Sequence, residues 1–186
     1  MVSTSDFRKG MKIEYKGAPH EIVDFQHHKM GRGGAIVRTK LKNLKTGSIF
    51  DDSFKGGEKF EKPDLEERKM QYLYNDGEQY HLMDNESYEQ IALTAEQLGD
   101  AKKFLIENMM VSVLLYEGST IGVEVPMFVE LKIVKTDPGF KGDTASGGSK
   151  PAELESGVTV KVPFHLNEGD MIKIDTRTSE YIERVK

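Results

Sequence analysis

The stretch "HHKMGRGGAIVRTKLKNLKTG", His27 to Gly47, holds two turn-forming clusters on either side of an alternating run. In that run Ala35, Val37, Thr39 and Leu41 fall on one face, and Ile36, Arg38, Lys40 and Lys42 fall on the other, by the two-residue period of a strand. A strand with one apolar face needs partners. The segment that follows the turn signal Lys16-Gly17-Ala18-Pro19 is its expected neighbour, paired across Met30 to Gly34. Gly31, Gly33 and Gly34 suit a tight tip, because glycine takes positive φ without steric cost. The same stretch carries six basic residues, Lys29, Arg32, Arg38, Lys40, Lys42 and Lys45, and no acid, although the chain as a whole has a formal net charge of -5.

Working outward, the chain of 186 residues is 37% apolar and 31% charged, a globular composition. Its 18 glycines, spread among many short apolar runs, favour turn-rich β structure. It has no cysteine, which excludes disulfides and thiolate metal sites. The opening residues "MVSTSDFRKGMKIEY" lack the apolar core of a signal peptide, and no run reaches the length of a membrane span. These features set the expectation of a cytoplasmic protein without membrane contact.

"NLKTGSIFDDSFKGGEKFEKPD" adds turns and short strands, so residues 1–64 are expected to form a small barrel that ends near Lys62-Pro63-Asp64. In residues 65–128, "RKMQYLY" and "QYHLMD" flank the turn Asn75-Asp76-Gly77-Glu78. A helix is expected over "AEQLGDAKKFLI", with Thr94 and Gln97 as a capping box and Leu98, Ala101, Leu105 and Ile106 as its apolar stripe; Gly99 weakens it. "MMVSVLLYEGSTIGVEVP" reads as two strands about Glu117-Gly118-Ser119. Residues 129–186 open with "ELKIVKT", break at Asp137-Pro138-Gly139, and pass through a long loop, "KGDTASGGSKP", into strand pieces joined by tight turns. A faint echo between "GVEVPMF" and "GVTVKVPF" suggests that the second and third barrels are related.

Catalytic and metal-binding patterns are absent. His27 and His28 are adjacent in a strand and point to opposite faces, so they cannot chelate together; Asp51 and Asp52 share that geometry. No nucleophile elbow, zinc-binding helix or P-loop spacing occurs. The protein is therefore not expected to be an enzyme, and no metal site is expected. Arg32 is different, because a tight turn has no structural use for it. A guanidinium between glycines can fork onto phosphate oxygens or stack on a base. Lys29, Lys40 and Lys42 would then grip the backbone. A general single-strand-binding OB protein is the alternative binding reading, but the later segments lack basic, aromatic-lined strands.

The whole chain resembles bacterial elongation factor P. The resemblance runs from "FRKGMKIEYKGAPHEIVDFQHHKMGRGGAIVRTKLKNLKTG" through "YLYNDGEQYHLMDNESYEQ", and it is most specific in "GDT", "SGGSKPA", "VPFHLNEGD" and "IDTRTSEY". The family is similar to the hypusine-bearing factor of eukaryotes and archaea, which lacks the third domain. The "GDT" and "TRT" runs match the main family and not its bacterial paralogue.

The resemblance implies an all-β fold, an SH3/KOW-like barrel followed by two OB-fold barrels in an L-shaped, tRNA-like arrangement. It implies a monomer that binds the ribosome, both rRNA and ribosomal proteins, between the P and E sites. There the family relieves stalling at consecutive prolines by positioning the P-site peptidyl-tRNA, prolyl-tRNA above all. The expected RNA-binding tip is Lys29, Gly31, Arg32 and Gly33, with Lys40 and Lys42 behind it. Gly142, Asp143 and Thr144 match a loop that approaches the mRNA codon in the E site. Tyr181 and Arg184 lie in the family's terminal "EY..RV" element, either as RNA contacts or as residues that close the barrel. Many members carry Pro-Gly-Lys-Gly at the tip. Here Met30 and Arg32 replace the proline and the lysine, so lysine-directed modification has no substrate. No dissociable cofactor is implied. An arginine branch of the family implies two states for Arg32, rhamnosylated by an arginine-modifying glycosyltransferase or a bare guanidinium.

Overall fold

A computed structural model of the chain describes residues 1–30, 34–139 and 148–186. The alternation in the opening stretch becomes the centre of a four-stranded antiparallel meander. Its strands are β2 (Lys12–Tyr15), β3 (Ala18–Met30), β4 (Gly34–Asn43) and β5 (Ile49–Lys55), in that spatial order, and a short pair, β1 (Val2–Ser3) with β6 (Lys59–Phe60), flanks them. The first turn is tighter than the sequence suggests. Lys16 and Gly17 both take positive φ, 50° and 73°, as a two-residue hairpin turn requires, and Ala18 already opens β3. Val37, Thr39 and Leu41 point inward onto Ile13, Ile22, Phe54 and Phe60. The rings of Phe54 and Phe60 meet at 4.7 Å and 65°, an edge-on geometry favoured by the aromatic quadrupole. Ala35 keeps the face of Val37 in the register but is exposed. β5 ends at Lys55, opposite Ile36, and the residue that follows it against Ala35 is Gly56. The Gly56 N–H donates to the Ala35 carbonyl oxygen at 2.7 Å, but glycine has no side chain to cover it.

A second sheet contains β7 (Leu65–Asn75), β8 (Gln79–Met83), β9 (Gln90–Thr94), β10 (Met110–Tyr116) and β11 (Ser119–Glu124) in the order β11-β10-β7-β8-β9. A third contains β12 (Phe128–Thr136), β13 (Ser149–Leu154), β14 (Thr159–Pro163), β15 (Met171–Asp175) and β16 (Glu180–Val185) in the order β14-β13-β12-β15-β16. Counted within its own segment, each sheet runs 3-2-1-4-5 (read from either edge), so the two share one set of neighbours around a central first strand. The echo noted in the sequence does not mark it, however. "GVEVPMF" belongs to the fifth strand of its sheet and "GVTVKVPF" to the third strand of the other. In the third sheet β14 and β16 approach each other, which rolls the sheet over Leu131, Ile133, Leu154, Val162, Ile172 and Ile174.

The chain divides into two compact units, one of Met1–Glu67 with Leu114–Gly122 and the other of Arg68–Val113 with Val123–Lys186. The expected helix over "AEQLGDAKKFLI" is mostly absent. The capping box of Thr94 and Gln97 is present, but α1 is a single turn, Ala95–Leu98, followed by a 3-10 segment, Gly99–Lys103. The cause is Gly99 itself, whose φ of 55° and ψ of -131° lie outside helical space. Leu98, Ala101, Phe104 and Leu105 are still buried, and Phe104 joins the third-sheet core. The long loop also ends earlier than expected, because Ser149, Lys150 and Pro151 belong to β13. Pro151 is tolerated there because the ladder of β12 ends at Thr136↔Ala152, one residue short of it.

Leu131 sits at the centre of β12 with no exposed surface. Leu131→Ala should cost about 2–5 kcal/mol, the range for truncating a buried leucine where the cavity cannot collapse. On the same strand Val134 is 47% exposed, so Val134→Ala should stay within about 0.5 kcal/mol. Urea titration of both variants checks this.

Candidate nucleic-acid interface

The β3–β4 pair is the longest in the molecule's first unit, running from His20↔Asn43 to Met30↔Gly34. The ladder with β2 ends at Lys12↔Glu21, and β5 covers β4 only as far as Ile36, so the far end of the pair stands without further strands. Arg38, Lys40 and Lys42 are all exposed on the outer face of β4, as the two-residue period requires. Residues directly opposite in an antiparallel ladder share a face, so the register fixes what surrounds each cation. Lys42 lies between Glu21 and Ile49, Lys40 between Asp24 and Asp51, Arg38 between Gln26 and Ser53, and Ile36 between His28 and Lys55.

This corrects the picture of an all-basic finger. The stretch is free of acids in sequence, but β3 and β5 set acids beside its base. The face is graded. Carboxylates flank the cations at the base, and no acid stands directly across the ladder from Arg38 or Ile36; past the end of β5, Glu58 Oε2 accepts from the Lys55 N–H at 3.0 Å. Lys55, which nothing in its local sequence singled out, joins the face only through the cross-strand register.

Of the acids at the base, Asp24 is engaged elsewhere, and so is Asp52, which stands opposite Thr39 on the other face. Lys9 Nζ lies 2.9 Å from Asp24 Oδ1, and the hydrogen bond from Lys9, with the Phe25 N–H, holds the Asp24 carboxyl below the usual carboxylate range. The Tyr15 hydroxyl donates to Asp52 Oδ2 at 2.6 Å, with Lys16 Nζ at 3.5 Å; Tyr15 is the main cause that keeps Asp52 ionised to lower pH. Among the described residues, Arg38, Lys40 and Lys42 make no ion pair within 4.0 Å. Arg38 and Lys40 border a shallow depression of about 590 Å³ that is also lined by Asp24, Phe25, Gln26, Asp51, Asp52 and Ser53. A strand-like anion can therefore meet unpaired cations along this face.

Lys45 is not part of that row. Its Nζ lies 5.1 Å from the centre of the Tyr116 ring, a cation–π contact. The Tyr116 hydroxyl in turn donates to Glu14 Oε1 at 2.9 Å, and that bond, above all, pushes the phenol up to about 12.

Of the remaining expected site residues, Lys29 is placed by its backbone opposite Ala35. Gly31, Arg32 and Gly33 at the tip, and Gly142, Asp143 and Thr144 in the later loop, lie outside the described residues. Tyr181 is half-buried opposite Ile174 and packs on the third-sheet core. Arg184 stands opposite Ile172, and its Nη2 donates to Asp170 Oδ1 at 2.8 Å. Tyr181 thus packs on the core, and Arg184 is exposed and pairs within its own hairpin. Among the described residues no cluster of His, Cys, Asp or Glu could hold a metal ion, and no helix is long and apolar enough to cross a membrane.

Comparison with known proteins places this geometry. Three family models match in succession: the elongation factor P KOW-like domain over residues 3–60, the elongation factor P OB domain over residues 65–123, and the elongation factor P C-terminal domain over residues 129–184. Elongation factor P of Thermodesulfovibrio yellowstonii is 60% identical over 186 residues, with 100% of both chains covered. Elongation factor P of Pelotomaculum thermopropionicum is 55% identical over 185 residues, again with both chains covered in full. Among solved structures, eukaryotic translation initiation factor 5A from Methanococcus jannaschii matches 64% of this chain and 88% of its own, with a TM-score of 0.54 and 25% identity. A translation initiation factor eif-5a family protein from Naegleria fowleri, at 17% identity and a TM-score of 0.51, shares the fold over 67% of this chain and 96% of its own. The KOW-like and OB assignments agree with the all-β architecture and with the strand order of the sheets, and the chain belongs to the elongation factor P family of translation factors.

Proposed function

We propose that this factor works in the cytoplasm on the ribosome, between the P and E sites, and that it stimulates peptide-bond formation at consecutive prolines. The observation that carries this reading is the graded outer face of β4. Its unpaired cations lead along the projecting β3–β4 pair toward Arg32 in the sequence. Along the ladder, a phosphate backbone approaching from the far end meets Lys55 and Arg38 before Asp24, Asp51 and Glu21. Lys29, Lys40 and Lys42 contribute charge, and Gly31 and Gly33 leave the base of Arg32 unencumbered. Gly142, Asp143 and Thr144 address the mRNA codon in the E site.

The mechanism is positional. Proline is a conformationally restricted peptidyl donor and acceptor. A factor that holds the 3′ end of the P-site prolyl-tRNA in reactive geometry lowers the entropic part of the barrier. The ribosome performs the chemistry, and this chain supplies no catalytic group. Arg32 is the group that reaches the tRNA end, and its guanidinium is also where a glycosyltransferase would attach rhamnose. The intact mass of the protein from its native cell decides between an added deoxyhexose and a bare guanidinium.

In a reconstituted translation system the parent should relieve stalling at three consecutive prolines and barely change templates without them. Arg32→Ala should lose rescue on the order of tenfold, about 1.4 kcal/mol of barrier. Arg32→Lys keeps the charge but not the planar fork, and it should fail as well. Rescue by Arg32→Ala equal to the parent would reduce the hairpin to a docking surface.

The graded face makes a second prediction. Arg38→Glu should weaken ribosome binding more than Lys42→Glu, because Lys42 already faces Glu21. Each should lower the slope of log K against log salt by about one for every phosphate that the side chain no longer neutralises. Equal effects of the two variants would contradict the gradient.

A further inference from the structure

β5 ends at Lys55, and Gly56, Gly57 and Glu58 turn the chain into β6. The turn closes on itself through the Glu58 N–H, which donates to the Lys55 carbonyl oxygen at 3.1 Å. Two other segments fasten it from outside. From β4, the Ala35 carbonyl oxygen accepts from the Gly56 N–H at 2.7 Å. From the start of the chain comes Thr4, which opens a 3-10 turn after β1 and is only 1% exposed. The Thr4 N–H donates to the Glu58 carbonyl oxygen at 3.0 Å. Its hydroxyl accepts from the Gly57 N–H at 2.8 Å and donates to the Lys55 carbonyl oxygen at 3.3 Å. One buried residue thus bonds three members of a single turn, and its removal would leave those groups without partners.

What the turn carries is Lys55, exposed on the outer face of β5 and opposite Ile36. The acid of the turn does not neutralise it. Glu58 Oε2 accepts from the Lys55 backbone N–H at 3.0 Å, and among the described residues Lys55 Nζ makes no ion pair within 4.0 Å. Gly56 does not take positive φ, so its lack of a side chain has another cause. A Cβ there would lie 3.0 Å from the Ala35 Cβ and 3.2 Å from the Ala35 carbonyl oxygen. The turn therefore lies close against the end of β4.

We propose that Thr4 and Gly56 are positioning residues for Lys55. They latch the β5–β6 turn against β4, so that the Lys55 ammonium extends the row of Arg38, Lys40 and Lys42 and takes an RNA phosphate beyond Arg38. A loose turn would spread the ammonium over many positions, and ordering it on contact would cost affinity. The proposal rests on the reading of this face as the ribosome-binding one.

Ribosome affinity measured over a range of salt reads the contact. Lys55→Ala should weaken binding severalfold at low salt and lower the slope of log K against log salt by about one. Weaker binding at an unchanged slope would mean a contact to protein and would overturn the phosphate; unchanged binding would overturn the contact altogether.

Thr4→Val keeps the shape of the side chain and removes the hydroxyl, and Thr4→Ser keeps the hydroxyl. Each is assayed below its own Tm. Thr4→Val should weaken ribosome binding toward the level of Lys55→Ala, and Thr4→Ser should bind like the parent. Gly56→Ala leaves the Thr4 hydroxyl in place and presses on Ala35, and it should weaken binding as well. In the Lys55→Ala background neither Thr4→Val nor Gly56→Ala should change affinity further, because all act through one ammonium. Full multiplication of the effects would place their cause elsewhere in the barrel and overturn the latch. If binding responds in this way while the parent gives no rescue at three prolines, the proline reading fails and the latch stands.

Discussion

The burial of Val37, Thr39 and Leu41 fixes the register of β4, and the surface chemistry of the first unit follows from it. Side chains alternate strictly along a strand, so the same packing that puts these three residues on Ile13, Ile22 and Phe54 turns Arg38, Lys40 and Lys42 outward. A slip of one residue would drive those cations into an apolar core, at a cost no surface contact could offset. The cationic row needs no device of its own to hold it. Register also chooses its neighbours, and so sets the gradient from Glu21 and Asp24 at the base to Lys55 at the far end.

Charge on this face is managed by competition. Asp24 could have captured Lys40, but Lys9 takes it; Asp52, opposite Thr39 on the other face, is held by Tyr15 with Lys16. Exposed ion pairs contribute little to stability, so the value of these pairings lies in the cations they leave unpaired. An acidic chain can carry a basic edge in this way without neutralising it. Lys45 shows the opposite case, a cation of the same stretch that packs on Tyr116 instead.

Much of this was legible in the sequence. The alternation of β4, its pairing with β3 across Met30 and Gly34, and the capping box at Thr94 are all local patterns, and local patterns survive in sequence. What escaped was set by distant partners. Asp24 and Asp51 lie outside the acid-free stretch, and only the register brings them beside Lys40. Lys55 joined the face for the same reason. The helix after Thr94 failed at Gly99, where a single backbone conformation outweighed an apolar stripe that is nevertheless buried. Lys150 and Pro151 read as loop because a lysine and a proline are poor strand signals. The buried ammonium bond to Asp137 and the end of the β12 ladder explain both. Tyr181 and Arg184 were open between RNA contact and barrel closure, and the packing of one and the Asp170 pair of the other give each a structural task.

The central claim is that the projecting β3–β4 pair carries Arg32 to the 3′ end of the P-site tRNA. The chain has no cysteine, so one introduced as His28→Cys, exposed on the outer face, can hold a tethered iron chelate at a single place. On ribosomes paused at consecutive prolines, hydroxyl radicals from that chelate should cut the 3′ end of the P-site tRNA and the rRNA of the peptidyl transferase centre. Bound factor that leaves those positions intact and cuts elsewhere would contradict the claim.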